Sequence, residues 1–208
     1  YSVKYMETLT GFKWIGKLIK DYPNLEFIGG GEESFGYLIG DKIRDKDAVT
    51  ATLLACEIGS YAKETGKSFY EILEDCYRKF GAYKEKLLSF TLKGKEGAEK
   101  IKVMMEVFRK NPPKKLGGKK IVQIEDYLKG NRFTIPFNDI EKITLPKANV
   151  LIFKLEDDSR IAIRPSGTEP KIKFYFSVNA KMDINESWQE LEKKLDKRIE
   201  AIIQTLNL

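Results

Sequence analysis

RPSGTEP, running from Arg164 to Pro170, sets an arginine, two hydroxyls and a glycine in a short loop between two apolar alternations, RIAI and KIKFYF. A phosphate dianion needs several donors converging on its oxygens. Arg164 can supply a planar bidentate fork. Ser166 and Thr168 add hydroxyls. Gly167 can adopt positive φ, so that successive backbone N–H groups curl into an anion-binding nest. Pro165 and Pro170 restrict the loop and lower the cost of ordering it. No helix follows, so this is not a Walker-type loop. The same residues would also serve a plain hairpin turn.

A second stretch is GGGEESFG, Gly29 to Gly36. Its glycines let backbone approach a ligand closely, and Glu32, Glu33 and Ser34 crowd carboxylates and a hydroxyl together. A carboxylate there can accept from two adjacent sugar hydroxyls. A glycine-rich turn leading into a helix start, with the acids favouring the helix N-terminus, is the plain alternative. Calcium would find too few oxygen ligands at suitable spacing. A third stretch, TGFK, puts Lys13 in the first turn of an expected helix, where a cation is poorly placed. An ordinary surface lysine remains the other reading.

Composition narrows the chemistry. The chain has 208 residues, 42% of them hydrophobic, enough to bury a real core in one large or two small domains. Its formal charge of +6 suits anionic partners such as sugar phosphates or nucleic acid, and equally an ordinary lysine-rich surface. Histidine is absent, so acid–base steps must use Lys, Asp, Glu or Tyr, and a His-ligated metal site is excluded. Cys56 and Cys76 fall among apolar residues at helical spacing and are expected to be buried thiols in a reducing cytoplasm. No apolar run approaches a membrane span and no signal peptide is visible. The start at Tyr1 rather than Met suggests a piece of a longer protein.

The elements that must hold these stretches change texture along the chain. GFKWIGKLIKDY reads as a helix ending before Pro23, and LEFIGG as a short strand. Asp45 or Asp47 caps a helix with Ala48, Ala51, Ala55, Ile58 and Ala62 on one side, stopped by Gly66. Ser68 opens another, with Phe69, Ile72, Leu73, Cys76, Tyr77 and Phe80 on its buried face, stopped by Gly81. LLSFTLK is then a strand, and Ala98, Ile101, Met104, Met105 and Phe108 mark an amphipathic helix ending before Pro112. KNPPKKLGGKK reads as a basic connector. KIVQIEDYL, NVLIFKLE, RIAI and KIKFYFSV follow as strands, with a hairpin turn at Asp157–Ser159. Trp188, Leu191, Leu195, Ile199, Ile202 and Leu206 trace one face of a terminal helix. The expected packing is a mostly antiparallel sheet of about four strands with two helices on one face. Two domains are expected, 1–82 and 83–208.

In this order, TGFKWIG, GGGEESFGYLIGDKIRDKD and RPSGTEPKIKFY resemble the phosphoglucomutase/phosphomannomutase family, the α-D-phosphohexomutases. The resemblance spans nearly the whole chain. It implies the back half of a four-domain protein: the C-terminal part of the α/β third domain, then the whole fourth, an α+β domain similar in fold to TATA-box-binding protein with a mainly antiparallel sheet. The likeness carries no DNA-binding claim. It further implies interconversion of hexose 1-phosphate and hexose 6-phosphate through glucose 1,6-bisphosphate or its equivalent, with a phosphoserine and Mg²⁺ held by loops that do not occur in this sequence. On this resemblance Arg164, Ser166, Gly167 and Thr168 match the loop that grips the phosphate not being transferred, with Lys171 beside it. Glu32 and Ser34 match the residues that hold sugar hydroxyls. Lys13 matches an active-site lysine that serves in proton transfer or balances phosphate charge.

The implied partners are a hexose phosphate and the N-terminal domains of the same polypeptide, in the cytoplasm, with no nucleic acid and no membrane. The GEESFG form resembles phosphoglucomutases more than phosphomannomutases. Phosphomannomutase or phosphopentomutase specificity and a non-catalytic phosphosugar-binding protein are the alternatives. A nucleic-acid module would rest on Lys110, Lys114, Lys115, Lys119 and Lys120, which have no aromatic residue among them to stack bases.

Overall fold

The computed structural model describes residues 2–32, 34–136 and 139–206. Contacts divide the chain into two compact units, one ending at Leu73 and one beginning at Glu74.

In the first unit, α1 (Phe12–Asp21) stops before Pro23 as its sequence requires. The glycine-rich stretch does not lead into a helix start. It forms a β-hairpin, β1 (Gly29–Gly31) paired antiparallel with β2 (Tyr37–Ile39). Phe12, Ile15 and Leu38 form a small core, with Ile19 and Phe27 against it. Next comes α2 (Ala48–Glu64), capped by Asp47, whose carboxylate accepts from the N–H groups of Val49 and Thr50 at 3.0 and 3.3 Å. Gly66, at φ 69°, ends it. α3 (Phe69–Phe80) opens with a capping box, in which Ser68 and Glu71 exchange backbone and side-chain bonds.

The expected buried faces of these helices are not buried. Only Ala62 is buried on α2, and no residue of α3 is. Cys56 and Cys76 are both exposed, so burial does not explain them. The reason is physical: apolar spacing makes a face, but burial needs a second layer; the described residues of the first unit supply α2 only a two-stranded sheet, and α3 runs past Leu73 into the second unit, where Tyr77 alone of its face packs against the core.

The second unit is built on an eight-stranded antiparallel sheet in the order β3-β10-β9-β8-β5-β6-β7, with β4 beside β5. Its strands are β3 (Ala82–Thr91), β4 (Lys115–Leu116), β5 (Lys119–Asp126), β6 (Asn131–Thr134), β7 (Asp139–Lys142), β8 (Leu151–Leu155), β9 (Arg160–Pro165) and β10 (Lys171–Ala180). The sheet is therefore wider than the expected four strands. β6 and β7 escape a periodicity reading because neither carries a buried residue. The basic connector is a hairpin, because Gly117 and Gly118 take φ of 55° and 79° and Leu116 is fully buried.

Two helices, α4 (Gly94–Lys110) and α5 (Trp188–Leu206), cover one face of the sheet. Ile101 and Met105 from α4, and Leu191, Leu195, Ile199 and Ile202 from α5, share one core with Phe153, Phe174 and Phe176. β9 and β10 alternate strictly, with Ile161, Ile163, Ile172 and Phe174 buried. Arg164 and Lys173 consequently lie on the opposite, open face.

Two caps give the fold an acid-sensitive component. Hydrogen bonds from Thr50 and Val49 hold the Asp47 carboxyl below its ordinary value of 3.8. Bonds from Ser187 at the start of α5 do the same for Glu190, below 4.5. A depressed folded-state pKa means that the stabilisation is complete above the unfolded value and is lost as pH falls through the folded one. Helical ellipticity should therefore hold down to about pH 5 and fall below about pH 4. The variant Asp47→Asn/Glu190→Gln should melt less steeply with pH in that range; an unchanged slope would remove both caps from the acid response.

Candidate functional site

In the first unit, the buried backbone of Gly36 sits against the Phe12 ring. A Cβ added at Gly36 would lie 2.7 Å from Phe12 Cε2. That contact brings the first turn of α1, where Lys13 is exposed, against the turn of the hairpin, which holds Glu32 and Ser34. Ser34 Oγ donates to Glu32 Oε2 at 3.3 Å. Glu32 N–H donates to Gly36 O at 3.0 Å, closing the turn. Glu32 Oε1 is buried and has no hydrogen-bond partner among the described residues. A buried carboxylate oxygen without a donor is costly, and a ligand hydroxyl would satisfy it. Glu33 lies outside the described residues.

Lys46 was not foreseen. It reaches the same place, its Nζ 5.9 Å from the Phe12 ring centroid and its Cδ beside Gly36. Nothing in the spacing of RDKD signals this; only the fold of the segment between β2 and α2 does.

In the second unit, RPSGTEP connects β9 to β10. Ser166 N–H donates to Lys171 O at 2.7 Å, and Lys171 N–H to Glu169 O at 2.7 Å. Ser166 Oγ accepts from the N–H groups of Thr168 and Glu169, at 3.4 and 3.3 Å. The expected nest of N–H groups curled by a left-handed Gly167 is not formed: Gly167 is not among the positive-φ glycines. The serine turns the N–H groups of Thr168 and Glu169 inward instead. This has a chemical consequence. A hydroxyl has two acceptor lone pairs and one donor. With both lone pairs engaged, Ser166 has its proton left to offer to an acceptor.

The side chain of Arg164, on the exposed open face, makes no hydrogen bond or ion pair with another described residue. The register places Lys173 directly opposite it. Like charges facing each other across a strand pair are destabilising unless an anion lies between or beside them. Lys173 could not be found by motif; it depends on the register.

The cradle is open at Gly167, where an added Cβ would meet nothing within 4 Å. Gly167→Ala should therefore keep the melting temperature or raise it slightly, by the equivalent of about 0.4–1 kcal/mol. It should at the same time weaken phosphate binding, read by titration, by filling the space beside the donors. Unchanged binding would remove Gly167 from the site.

Residues 1–80 match the family model for the α/β/α domain III of phosphoglucomutase/phosphomannomutase, and residues 100–181 match the model for the C-terminal domain of the same proteins. The chain belongs to the phosphoglucomutase/phosphomannomutase family. It is 40% identical to a phosphoglucomutase of Staphylococcus haemolyticus over 182 residues, which cover 86% of this chain and 33% of that protein. It is 43% identical to a phosphoglucomutase of Staphylococcus aureus over 180 residues, 85% of this chain and 32% of that one. The chain thus spans about a third of the length of these phosphoglucomutases. Among solved structures it resembles in fold the exocytosis-sensitive phosphoprotein parafusin, named a phosphoglucomutase, of Paramecium in its open form. The TM-score is 0.59 at 23% identity, over 95% of this chain and 31% of that one.

Lys13, Glu32 and Ser34 fall in the stretch matched as the third phosphohexomutase domain. Arg164, Ser166, Gly167, Thr168 and Lys171 fall in the stretch matched as the fourth. Among the described residues no group of three or more His, Cys, Asp or Glu side chains is placed to hold a metal ion. Mg²⁺, which the resemblance implies, therefore does not fit the described residues of this chain. Among the described residues no helix is long and apolar enough to cross a membrane.

Proposed function

We propose that this chain is the substrate-binding part of a phosphoglucomutase-type enzyme that interconverts hexose 1-phosphate and hexose 6-phosphate through a bisphosphate. Residues 1–82 hold the sugar and residues 83–208 hold the phosphate that is not being transferred. The observation that carries this reading is the Ser166 hydroxyl, an acceptor twice over with its proton left to give, in a loop that starts from Arg164, whose side chain has no partner among the described residues.

Arg164 grips two phosphate oxygens. Ser166 and Thr168 donate hydroxyls, and Lys171 adds charge. Glu32 Oε1 accepts from a sugar hydroxyl, and Ser34 helps orient that carboxylate. Lys13 moves a proton or balances charge at the reacting end. A clamp that is separate from the reacting centre lets one site hold the sugar in either orientation, so that either phosphate can be the one transferred. The Mg²⁺, the phosphoserine and the bisphosphate cofactor belong, in this reading, to other segments of the polypeptide, whose serine and metal loops do not occur in this sequence. The enzyme works in the cytoplasm on a hexose phosphate.

Calorimetric titration of the 208-residue chain with glucose 6-phosphate tests the binding half. Saturable binding is expected, with no conversion of glucose 1-phosphate even when glucose 1,6-bisphosphate and Mg²⁺ are added. Absence of saturable binding, together with steeply salt-dependent binding of nucleic acid, would replace this reading with a nucleic-acid module. Turnover by the chain alone would refute its assignment as only the binding part.

A further inference from the structure

We propose that Phe35 is a sugar-stacking residue. Its ring takes the apolar C–H face of a pyranose while Glu32, in the same turn, accepts from a hydroxyl at the sugar's edge. This inference rests on the proposed function and adds to it a contact that reads the sugar ring itself.

β1 and β2 are joined by a turn that the bond from Glu32 N–H to Gly36 O closes, and Phe35 is the last residue of that turn. It has a φ of 63°. The last residue of a short hairpin turn often takes this left-handed conformation, and glycine is the residue suited to it. A Cβ makes the conformation costly, and the short polar side chains of Asn and Asp are the ones that offset the cost. Among the described residues, two other than glycine have positive φ, Phe35 and Asp158. Asp158 fits that rule and Phe35 does not. Burial does not offset the strain either. Phe35 is 87% exposed and takes no part in the small core of Phe12, Ile15 and Leu38. Other exposed rings, such as that of Tyr70, stand on a helix at no such backbone cost. Neither the backbone nor the packing of the described residues accounts for a phenylalanine at position 35.

The chemistry of the turn supplies the reason. Backbone strain that the fold does not need is a feature of ligand clamps. Glu32 Oε1 is buried and has no donor among the described residues, while Oε2 accepts from Ser34 at 3.3 Å. A ligand that fits this turn brings a donor for that oxygen. Three residues along, Phe35 exposes an aromatic face. A pyranose carries both features side by side, hydroxyls around its rim and C–H groups on its faces. Those polarised C–H groups meet the negative face of an aromatic ring favourably. Inorganic phosphate has no apolar face, and the Glu32 carboxylate repels it. The turn thus reads the sugar, and the loop in the second unit reads the phosphate.

The test compares glucose 6-phosphate with inorganic phosphate as probes of the 208-residue chain, by calorimetric titration and by the resonances of the sugar C–H protons. Phe35→Gly removes the ring and the strain together. It should leave the melting temperature unchanged or raise it, and leave phosphate affinity as it was. Its affinity for glucose 6-phosphate should fall about three- to tenfold. On binding to the parent chain, the sugar C–H protons should move upfield in the ring current of an aromatic face. Phe35→Gly should lose that shift, and Phe35→Tyr should keep both the shift and the affinity. A lower melting temperature in Phe35→Gly would make the ring part of the fold. Unchanged glucose 6-phosphate affinity, or an upfield shift that survives Phe35→Gly, would leave no stack. Each of these results overturns the proposal. The clamp reading fails separately, if Arg164→Ala leaves both probes bound as before. A parent chain that does not bind glucose 6-phosphate refutes both.

Discussion

Arg164→Ala should lower kcat/KM of the full-length enzyme about ten- to hundredfold, equally in both reaction directions. In the proposed clamp the substitution removes a charge-assisted, bidentate contact worth roughly 1.5–3 kcal/mol. The loss should be symmetrical because, in the proposed function, the clamp holds the non-transferring phosphate whichever end of the sugar reacts. Arg164→Lys should recover only part of it, since an ammonium cannot reproduce the planar fork. The fold should not suffer. Arg164 is exposed, its side chain has no partner among the described residues, and it faces Lys173 across the strand pair, so its removal relieves a like-charge contact. Kinetics of the variant beside its thermal melt decide the matter. An unchanged kcat/KM, or a loss matched by unfolding, would leave RPSGTEP as a hairpin turn only.

Gly97→Ala should destabilise the second unit by about 1–3 kcal/mol, although glycine to alanine inside a helix ordinarily stabilises by about 1 kcal/mol. The sign inverts because an added Cβ would lie 1.9 Å from Leu92 O and 2.4 Å from Leu92 C. Those are backbone atoms, and they cannot rotate away. Leu92 N–H in turn donates to Pro170 O at 2.9 Å, so a displaced Leu92 pulls on the phosphate loop. The variant should therefore lose both melting temperature and glucose 6-phosphate affinity. Gly94→Ala, three residues earlier, is no control, since Gly94 sits at φ 77° and would strain for a different reason. Ala98→Ser, on the exposed side of the same helix, is the proper one and should leave both quantities unchanged. A Gly97→Ala protein as stable as the parent would show that α4 does not press on Leu92.

The amino-acid sequence determined most of the local structure, because local structure follows from local physics. Pro23, Gly66, Gly81 and Pro112 mark the ends of α1 to α4 within a residue or two. Asp47 and Ser68 cap the helices that follow them because their side chains reach N–H groups two or three residues ahead. The alternation in β8, β9 and β10 placed the core face of the sheet, and the order of three motifs identified the family.

What only the tertiary structure decided depends on residues far apart in sequence. Cys56 and Cys76 carry the spacing of a buried face, yet are exposed, because spacing does not say whether a second layer is present. β6 and β7 exist through pairing with neighbours rather than through any buried side chain of their own. Lys173 opposes Arg164 by register, and Lys46 reaches the hairpin turn through the packing of Gly36 on Phe12. The composition of RPSGTEP pointed to an anion. Only the three-dimensional loop shows that Ser166 Oγ already accepts from two N–H groups and that Gly167 does not take positive φ, because which lone pairs are occupied is a property of geometry.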